Sequence, residues 1–200
     1  MFANDSLQSY AVEVTSAISP DIAGLRALSH PVRLHMLGLL RSDGPATATT
    51  LAARLELNTG ATSYHLRQLA QHGFIEEDTE RGNARDRWWR AAHDSTHTEF
   101  RGEAITDDVE AYLSTVAMIY GERLRSVVSE LRFYPDQWQG VSTLSDWHFT
   151  LTPARAKALV DALTAAVEEV EDSDEDGAAG FVVNLNAYLR PGQLGARDDL

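Results

Sequence analysis

The spacing of apolar side chains predicts a series of short helices in the first third of the chain. Apolar residues recur there at steps of three and four, which places them on one face of a helix. The runs are separated by turn formers, of which Ser42-Asp43-Gly44-Pro45 is the clearest. Five helices are predicted: residues 6–18, a helix capped by Asp21, a helix from Pro31 to about Ser42, a helix opened by Thr49 or Thr50, and a helix from about Gly60 to His72 with Gly73 as its C-cap.

After Gly73 the pattern changes from helical spacing to strand-like runs. Phe74–Thr79 and Arg85–Ala92 are joined by Arg81-Gly82-Asn83-Ala84, a sequence typical of a turn. Together they predict a β-hairpin that directly follows the fifth helix.

The second half of the chain predicts one long helix and a small strand–helix–strand unit. Apolar residues from about Glu103 to Arg132 recur close to a heptad pattern, which is typical of a helix that pairs with a second copy. The same residues would also suit an ordinary core helix or the wall of a ligand cavity. Alternation over 147–151 and 181–189 predicts two strands, and the apolar face that follows Pro153 predicts a helix between them.

These elements predict a mainly helical α+β fold. A helix, a short turn, a second helix and a hairpin follow one another, which is the order of a winged helix-turn-helix. The fold then consists of an N-terminal winged helix-turn-helix, a long dimerisation helix and the C-terminal strand–helix–strand unit. We divide it into a DNA-binding domain, residues 1–95, and a dimerisation and possible effector-binding region, residues 96–200.

Composition places the chain among folded proteins and gives no sign of export. Hydrophobic residues make up 44% of the sequence and charged residues 24%, which suits a packed core. No apolar run is long enough to cross a bilayer, the first 14 residues carry no Lys or Arg, and there is no cysteine. We therefore expect a cytoplasmic protein without membrane contact.

The net charge of −13 is unusual for a DNA-binding protein, so its distribution decides whether DNA contact is possible. Residues 1–95 carry nine Lys and Arg against eleven Asp and Glu, so most of the negative charge belongs to residues 96–200. Residues 57–75 contain no Asp or Glu at all. Phosphate contact requires cations and an absence of facing carboxylates, and this segment meets the second condition.

The fifth predicted helix carries the side chains expected to contact DNA. Its apolar residues point inward, which leaves polar groups that hydrogen-bond bases or phosphates on the outer side. Backbone N–H groups at its start, near Asn58 and Thr59, favour a phosphate. The outward set is Gly60, Ser63, Tyr64, Arg67 and Gln71.

Arginines around the hairpin turn predict a second contact. Arg81 and Arg85 flank Gly82-Asn83, and an arginine-tipped wing suits a narrow minor groove. The first strand of the hairpin is acidic, so we expect only the tip and the second strand to touch DNA.

Three segments between residues 22 and 92 carry a family resemblance: LRALSHPVRLHMLGLL, LAARLELNTGATSYHLRQLAQHGFIEE and RGNARDRWWR. Together they resemble the ArsR-type winged helix-turn-helix regulators of bacteria. The resemblance implies a homodimer that represses or activates transcription at a palindromic operator on double-stranded DNA, and that most often releases DNA when an effector binds. The family positions that contact DNA correspond to Thr59, Gly60, Ser63, Tyr64 and Arg67 in the recognition helix and to Arg81, Asn83 and Arg85 in the wing.

Other classes of site receive weaker support from the sequence. Without cysteine, the thiolate metal sensing known in this family is excluded. His93, Asp94 and His97 have a spacing that suits zinc or nickel, but no second ligand cluster accompanies them, and we predict neither a metal nor another cofactor. No catalytic motif appears, so we predict no enzyme and no catalytic residue. A small-molecule effector stays open, and a winged helix used only for protein contact stays the alternative function.

Overall fold

The computed structural model describes residues 17–81, 86–98 and 105–193. Its helices are α1 (Ile22–Leu28), α2 (Pro31–Ser42), α3 (Ala48–Arg54), α4 (Thr59–Gln71), α5 (Asp107–Glu130), α6 (Asp136–Gln139) and α7 (Pro153–Glu168). Its strands are β1 (Ala17–Ile18), β2 (Ala46–Thr47), β3 (Ile75–Glu77), β4 (Trp88–Ala91) and β5 (Ser95–Thr96). The mainly helical α+β class predicted from the sequence is confirmed.

The starts of the first helices are fixed by side-chain caps. Asp21 Oδ1 accepts a hydrogen bond from Gly24 N–H at 2.8 Å, which confirms the predicted cap of α1. His30 Nδ1 accepts from Val32 N–H at 3.2 Å and precedes Pro31 at the start of α2. α3 begins earlier than predicted because Thr47 is its cap: Thr47 Oγ1 accepts from Thr50 N–H at 3.1 Å.

A three-stranded antiparallel sheet closes one side of the helices. Its strand order is β2-β4-β3, and Glu76 lies opposite Arg90 in the β3–β4 pair. The predicted hairpin is therefore confirmed. Part of its turn, residues 82–85, lies outside the described residues.

The hydrophobic core lies between helices α1–α4, the three-stranded sheet and the first half of α5. Phe74 occupies its centre, fully buried. Burial of this kind, about 25 cal/mol per Å² of apolar surface, is the main term that stabilises the fold. The other fully or almost fully buried apolar residues are Leu28, Met36, Leu37, Leu40, Leu51, Leu66, Leu69 and Ile75.

One end of the first predicted helix is a strand instead. Ala17 and Ile18 form β1, which pairs in parallel with Ser95 and Thr96 of β5. The prediction was wrong here because a partner strand far along the chain supplies hydrogen bonds that local spacing does not reveal. The rest of that predicted helix, residues 6–16, lies outside the described residues.

The predicted long helix is confirmed, and the first half of its apolar face is covered by its own chain. Val109, Tyr112 and Ile119 are buried, and Thr115 Oγ1 donates to Ser29 O at 2.8 Å. For the first half of α5, the alternative of an ordinary core helix is therefore correct. Beyond it the face is exposed: Leu124 and Val128 are open to solvent.

The chain divides into two compact units, with Ser129 as the last residue of the first and Glu130 as the first residue of the second. Within the second unit, the predicted helix is present as α7. The prediction of two strands was wrong, because neither 147–151 nor 181–189 belongs to a sheet in the described part of the chain. Alternation predicts which side of a strand would be buried, but a strand also requires a neighbour for its N–H and C=O groups. The functional boundary predicted at residues 95/96 stays a prediction.

Candidate nucleic-acid interface

α4 is held in place by a buried polar and apolar face. Thr62, Leu66 and Leu69 have no exposed surface, as the sequence predicted. Thr62 Oγ1 donates to Asn58 O at 3.1 Å, so its hydroxyl is satisfied inside the core. At the other end Gly73 has φ +74°, the left-handed conformation predicted for the C-cap, and Phe74 N–H donates to Leu69 O at 3.0 Å.

The turn before α4 is tight and rests on an unexpected residue. Glu56 has φ +54°, in the left-handed region that favours glycine. Leu57 N–H donates to Ala52 O at 2.9 Å, which closes the turn back onto α3. The sequence gives no sign of this backbone conformation, since no glycine stands at the position with positive φ. Packing of the two helices on either side offsets the backbone strain at Glu56.

The residues of α4 that are predicted to contact DNA lie on its outer side. Tyr64 is 54% exposed, and Thr59, Gly60 and Arg67 are also exposed, with Ser63 half-buried beside them. Among the described residues Arg67 has neither an ion pair nor a hydrogen-bond partner. The structure thus brings these five residues to one surface; their contact with DNA stays a prediction.

Asn58 has a structural task at the start of α4. Its Oδ1 accepts a hydrogen bond from Ala61 N–H at 2.8 Å, which caps the helix. The side chain is exposed, so its remaining amide group still faces solvent at the predicted DNA surface.

We expect Asn58→Ala to lower the free energy of unfolding by about 1 kcal/mol, because the N–H of Ala61 loses its acceptor. Asn58→Asp, which keeps the acceptor, is the matched control. Urea denaturation of both variants measures the effect. A loss in Asn58→Asp as large as in Asn58→Ala would show that the cap hydrogen bond is not its source.

The hairpin offers less free positive charge than its sequence predicts. Arg87 pairs with Glu77 at 3.1 Å and Arg90 pairs with Glu76 at 2.7 Å, both across the two strands. Arg81 is exposed near the tip and lies 3.5 Å from Asp78. The arginines of the second strand are thus partly neutralised by the acidic first strand. Asn83 and Arg85 lie outside the described residues.

Between α4 and the start of α2 lies a cluster that the sequence did not reveal as a unit. The rings of His30, before α2, and His65, on α4, have centroids 4.5 Å apart, and the Tyr64 ring lies 5.5 Å from that of His65. Two buried nitrogens here, Arg33 Nε and His65 Nδ1, have no hydrogen-bond partner in the part of the chain that the structure describes. Burial and the charge of Arg33 hold the pKa of both histidines below the usual range. Residue spacing could not predict a contact between residues 35 positions apart.

His93 and His97, which follow the hairpin, form hydrogen bonds through their backbone atoms. His93 O accepts a hydrogen bond from Arg41 Nε at 2.8 Å, and His97 N–H donates to Ile18 O at 2.9 Å. Within the described ranges no group of three or more His, Cys, Asp or Glu side chains is arranged to hold a metal ion.

The segment that contains α2, α3, α4 and β3 matches a known protein family. Residues 28–78 match the model of a helix-turn-helix domain. The match covers about a quarter of the chain, and its bounds enclose the buried face of α4, the tight turn and the outer side chains described above. The chain thus contains a helix-turn-helix domain, and the second strand of the β-hairpin follows the matched segment. No curated protein matches the sequence.

Several solved structures resemble the chain at low similarity. A mutant of ZitR from Lactococcus lactis in apo form is 15% identical, with a TM-score of 0.32, 70% of this chain and 83% of that one covered. The adhesin competence repressor AdcR from Streptococcus pyogenes is 16% identical, with a TM-score of 0.32 and coverages of 69% and 78%. RV1404 from Mycobacterium tuberculosis is 16% identical, with a TM-score of 0.30 and coverages of 74% and 82%.

A helix that spans a bilayer must be both long and apolar. None of the helices in residues 17–81, 86–98 and 105–193 is both long and apolar enough to span a membrane.

Proposed function

We propose that this protein is a non-enzymatic, sequence-specific DNA-binding regulator of transcription, of the ArsR type, with α4 as its recognition helix. One observation carries the proposal: the outer side of α4 presents Ser63, Tyr64 and Arg67, which has no partner among the described residues, while its inner side is buried in the core. No carboxylate lies anywhere in residues 57–75 to repel a phosphate or base edge. This placement suits a helix that enters the major groove.

Within this proposal the outer side chains have different tasks. Arg67 is the candidate for a bidentate contact to a guanine edge, and Ser63 and Tyr64 hydrogen-bond bases or phosphates. The start of α4 at Thr59 and Gly60 directs backbone N–H groups toward a phosphate. Arg81, Asn83 and Arg85 of the wing reach the adjacent minor groove.

We further propose that the protein acts as a homodimer on a palindromic operator. In a single chain, α7 exposes Leu159, Leu163 and Val167, which recur every four residues on one face of the helix. Exposed apolar surface of this kind is typical of an interaction site, and a second copy offers the same face in return. The exposed end of α5, with Leu124 and Val128, supports the same conclusion.

A salt-titrated binding assay tests the proposal. The purified protein is measured against the DNA upstream of its own gene and against a scrambled duplex of equal length. We expect tighter binding to the upstream DNA and affinity that falls steeply with salt. Light scattering of the same sample is expected to give twice the mass of the chain. Equal, feeble binding to duplexes from the whole genome would contradict DNA binding and favour a winged helix that contacts protein.

We expect Arg67→Ala to weaken operator binding by about 1–3 kcal/mol, roughly 5- to 150-fold, because a bidentate base contact is lost. The fold should be unaffected, since the side chain is exposed and unpaired within the described residues. Arg54→Ala, on α3 and paired with Asp43, is the matched control. Unchanged operator affinity in Arg67→Ala would remove Arg67 from the interface.

A further inference from the structure

A patch of groups that carry or gain positive charge lies beside the proposed recognition helix. It consists of His30 and Arg33 at the start of α2 and His65 on α4, with the two imidazole centroids 4.5 Å apart. Tyr64, on the outer side of α4, contacts the His65 ring and so connects the patch to the proposed DNA surface. Each of the three groups is partly accessible: His30 is exposed, and Arg33 and His65 are half-buried.

The patch has no counter-charge within the described residues. The charges that act on the two rings are those of Arg33 and of the histidines themselves, and Arg33 in turn interacts with Tyr64. α1, α3, α5, β3 and β4 also pack against α2 or α4, and none of their carboxylates is among the charges that act on the two rings. The α5 carboxylate that reaches α2, Glu122, pairs with His35. Arg33 Nε and His65 Nδ1, both buried, have no hydrogen-bond partner among the residues that the structure describes. An anion at the accessible side of the patch would offset the charge that Arg33 carries and that the histidines gain.

We infer that His30, Arg33 and His65 form a phosphate-binding patch for the DNA backbone, and that DNA binding there is coupled to protonation of the histidines. The inference rests on the proposed function, because the DNA that α4 enters is the source of the phosphate. Arg33 supplies the permanent charge. The histidines add theirs only when protonated, which makes the patch stronger in mildly acidic solution.

The direction in which pH changes DNA affinity follows from the charge of the histidines in the free and in the DNA-bound protein. In the free protein, burial and neighbouring positive charge hold the pKa of both histidines low, so the rings are neutral near pH 7. A bound phosphate favours the charged rings and raises their pKa. For His30 the added proton falls on Nδ1, so the charged ring gives up the hydrogen bond from Val32 N–H in exchange for the phosphate. Binding therefore takes up protons, and affinity for DNA increases as pH falls from about 8 toward about 5.5.

Because a phosphate contact does not depend on sequence, any duplex tests it. Fluorescence anisotropy with an unrelated duplex at low salt is measured over this pH range for the wild type, Arg33→Gln, His65→Gln and His30→Asn, which retains a helix cap. We expect Arg33→Gln to weaken binding by roughly 5-fold or more and to reduce the salt slope by about one. Each histidine variant should flatten the pH dependence and leave binding at pH 8 close to that of the wild type.

His35→Gln is the matched control, since His35 lies on α2 outside the patch and pairs with Glu122. Its pH dependence should equal that of the wild type, and circular dichroism verifies that every variant is folded. NMR titration of the His30 and His65 rings gives a second readout: both pKa values should rise when the duplex is added.

The outcomes separate this inference from the proposed function. If the wild type binds duplex and Arg67→Ala weakens it, but Arg33→Gln binds normally and the ring pKa values do not move, the phosphate patch is overturned and the recognition helix stands. If the wild type binds no duplex at low salt, both are overturned. Loss of the pH dependence in His35→Gln as well would also overturn the assignment of the coupling to His30 and His65.

Discussion

Replacement of Phe74 by alanine should lower the free energy of unfolding by about 3–5 kcal/mol. The ring is fully buried at the point where α4 ends and the hairpin begins. It packs so tightly against α1 that a Cβ added at Gly24 would lie 3.3 Å from Phe74 Cζ. Alanine would leave a cavity between α1, α4 and the sheet, because the backbone hydrogen bonds around residue 74 prevent collapse.

Urea denaturation followed by circular dichroism measures this loss. Phe74→Leu, which retains most of the apolar volume, is the control and should lose only about 1 kcal/mol. Because Phe74 anchors the C-terminal end of α4, the alanine variant should also bind DNA less well at temperatures near its unfolding midpoint. A loss below about 1 kcal/mol in Phe74→Ala would contradict the central position of Phe74 in the core.

Replacement of Arg41 by methionine should cost about 2–4 kcal/mol. The guanidinium donates to His93 O at 2.8 Å and to Ser95 O and Thr96 Oγ1 at 3.0 Å each. It thereby fastens β5, and through it β1, to α2. Methionine fills the space of the stem but leaves the two carbonyl oxygens without their donor. The cost of burying a charge, which lowers the pKa of Arg41, is removed and offsets part of the loss.

Thermal and urea unfolding of Arg41→Met measure the effect, with Arg54→Met as the control. Arg54 makes an ion pair with Asp43 that is open to solvent, so its loss should cost less than about 1 kcal/mol. Amide hydrogen exchange of Ile18 and His97 should accelerate in Arg41→Met, since the neighbouring strands lose their attachment. Equal losses of stability in Arg41→Met and Arg54→Met would contradict the role of Arg41 in attaching β5 to α2.

Local signals in the sequence were sufficient to predict the helix-turn-helix. The cap at Asp21, the proline at position 31, the glycine at position 73 and the inward spacing of Thr62, Leu66 and Leu69 are all local signals, each acting within a few residues. Such local agreement between capping, spacing and turn chemistry specifies an element without knowledge of its neighbours. The outer side of α4 follows directly, because a helix with one buried face exposes the other.

Features that depend on distant residues were not predictable in this way. Ile18 has helical spacing, but Thr96 and the backbone near it decide its strand conformation. The apolar repeat of α5 looks uniform, yet its first half contacts the core and its second half does not. The patch of His30, Arg33 and His65 exists only because α2 and α4 pack against each other. Each of these needs three-dimensional contacts that no residue pattern contains.

The location of DNA on the protein decides whether α4 is its recognition helix. NMR titration of the isotope-labelled protein with its upstream duplex maps that location through the backbone amides. We expect the largest shifts at residues 59–71 and in the hairpin, with the amides of α7 unchanged. Shifts confined to the second unit, with α4 unperturbed at saturating DNA, would contradict a recognition helix at this position.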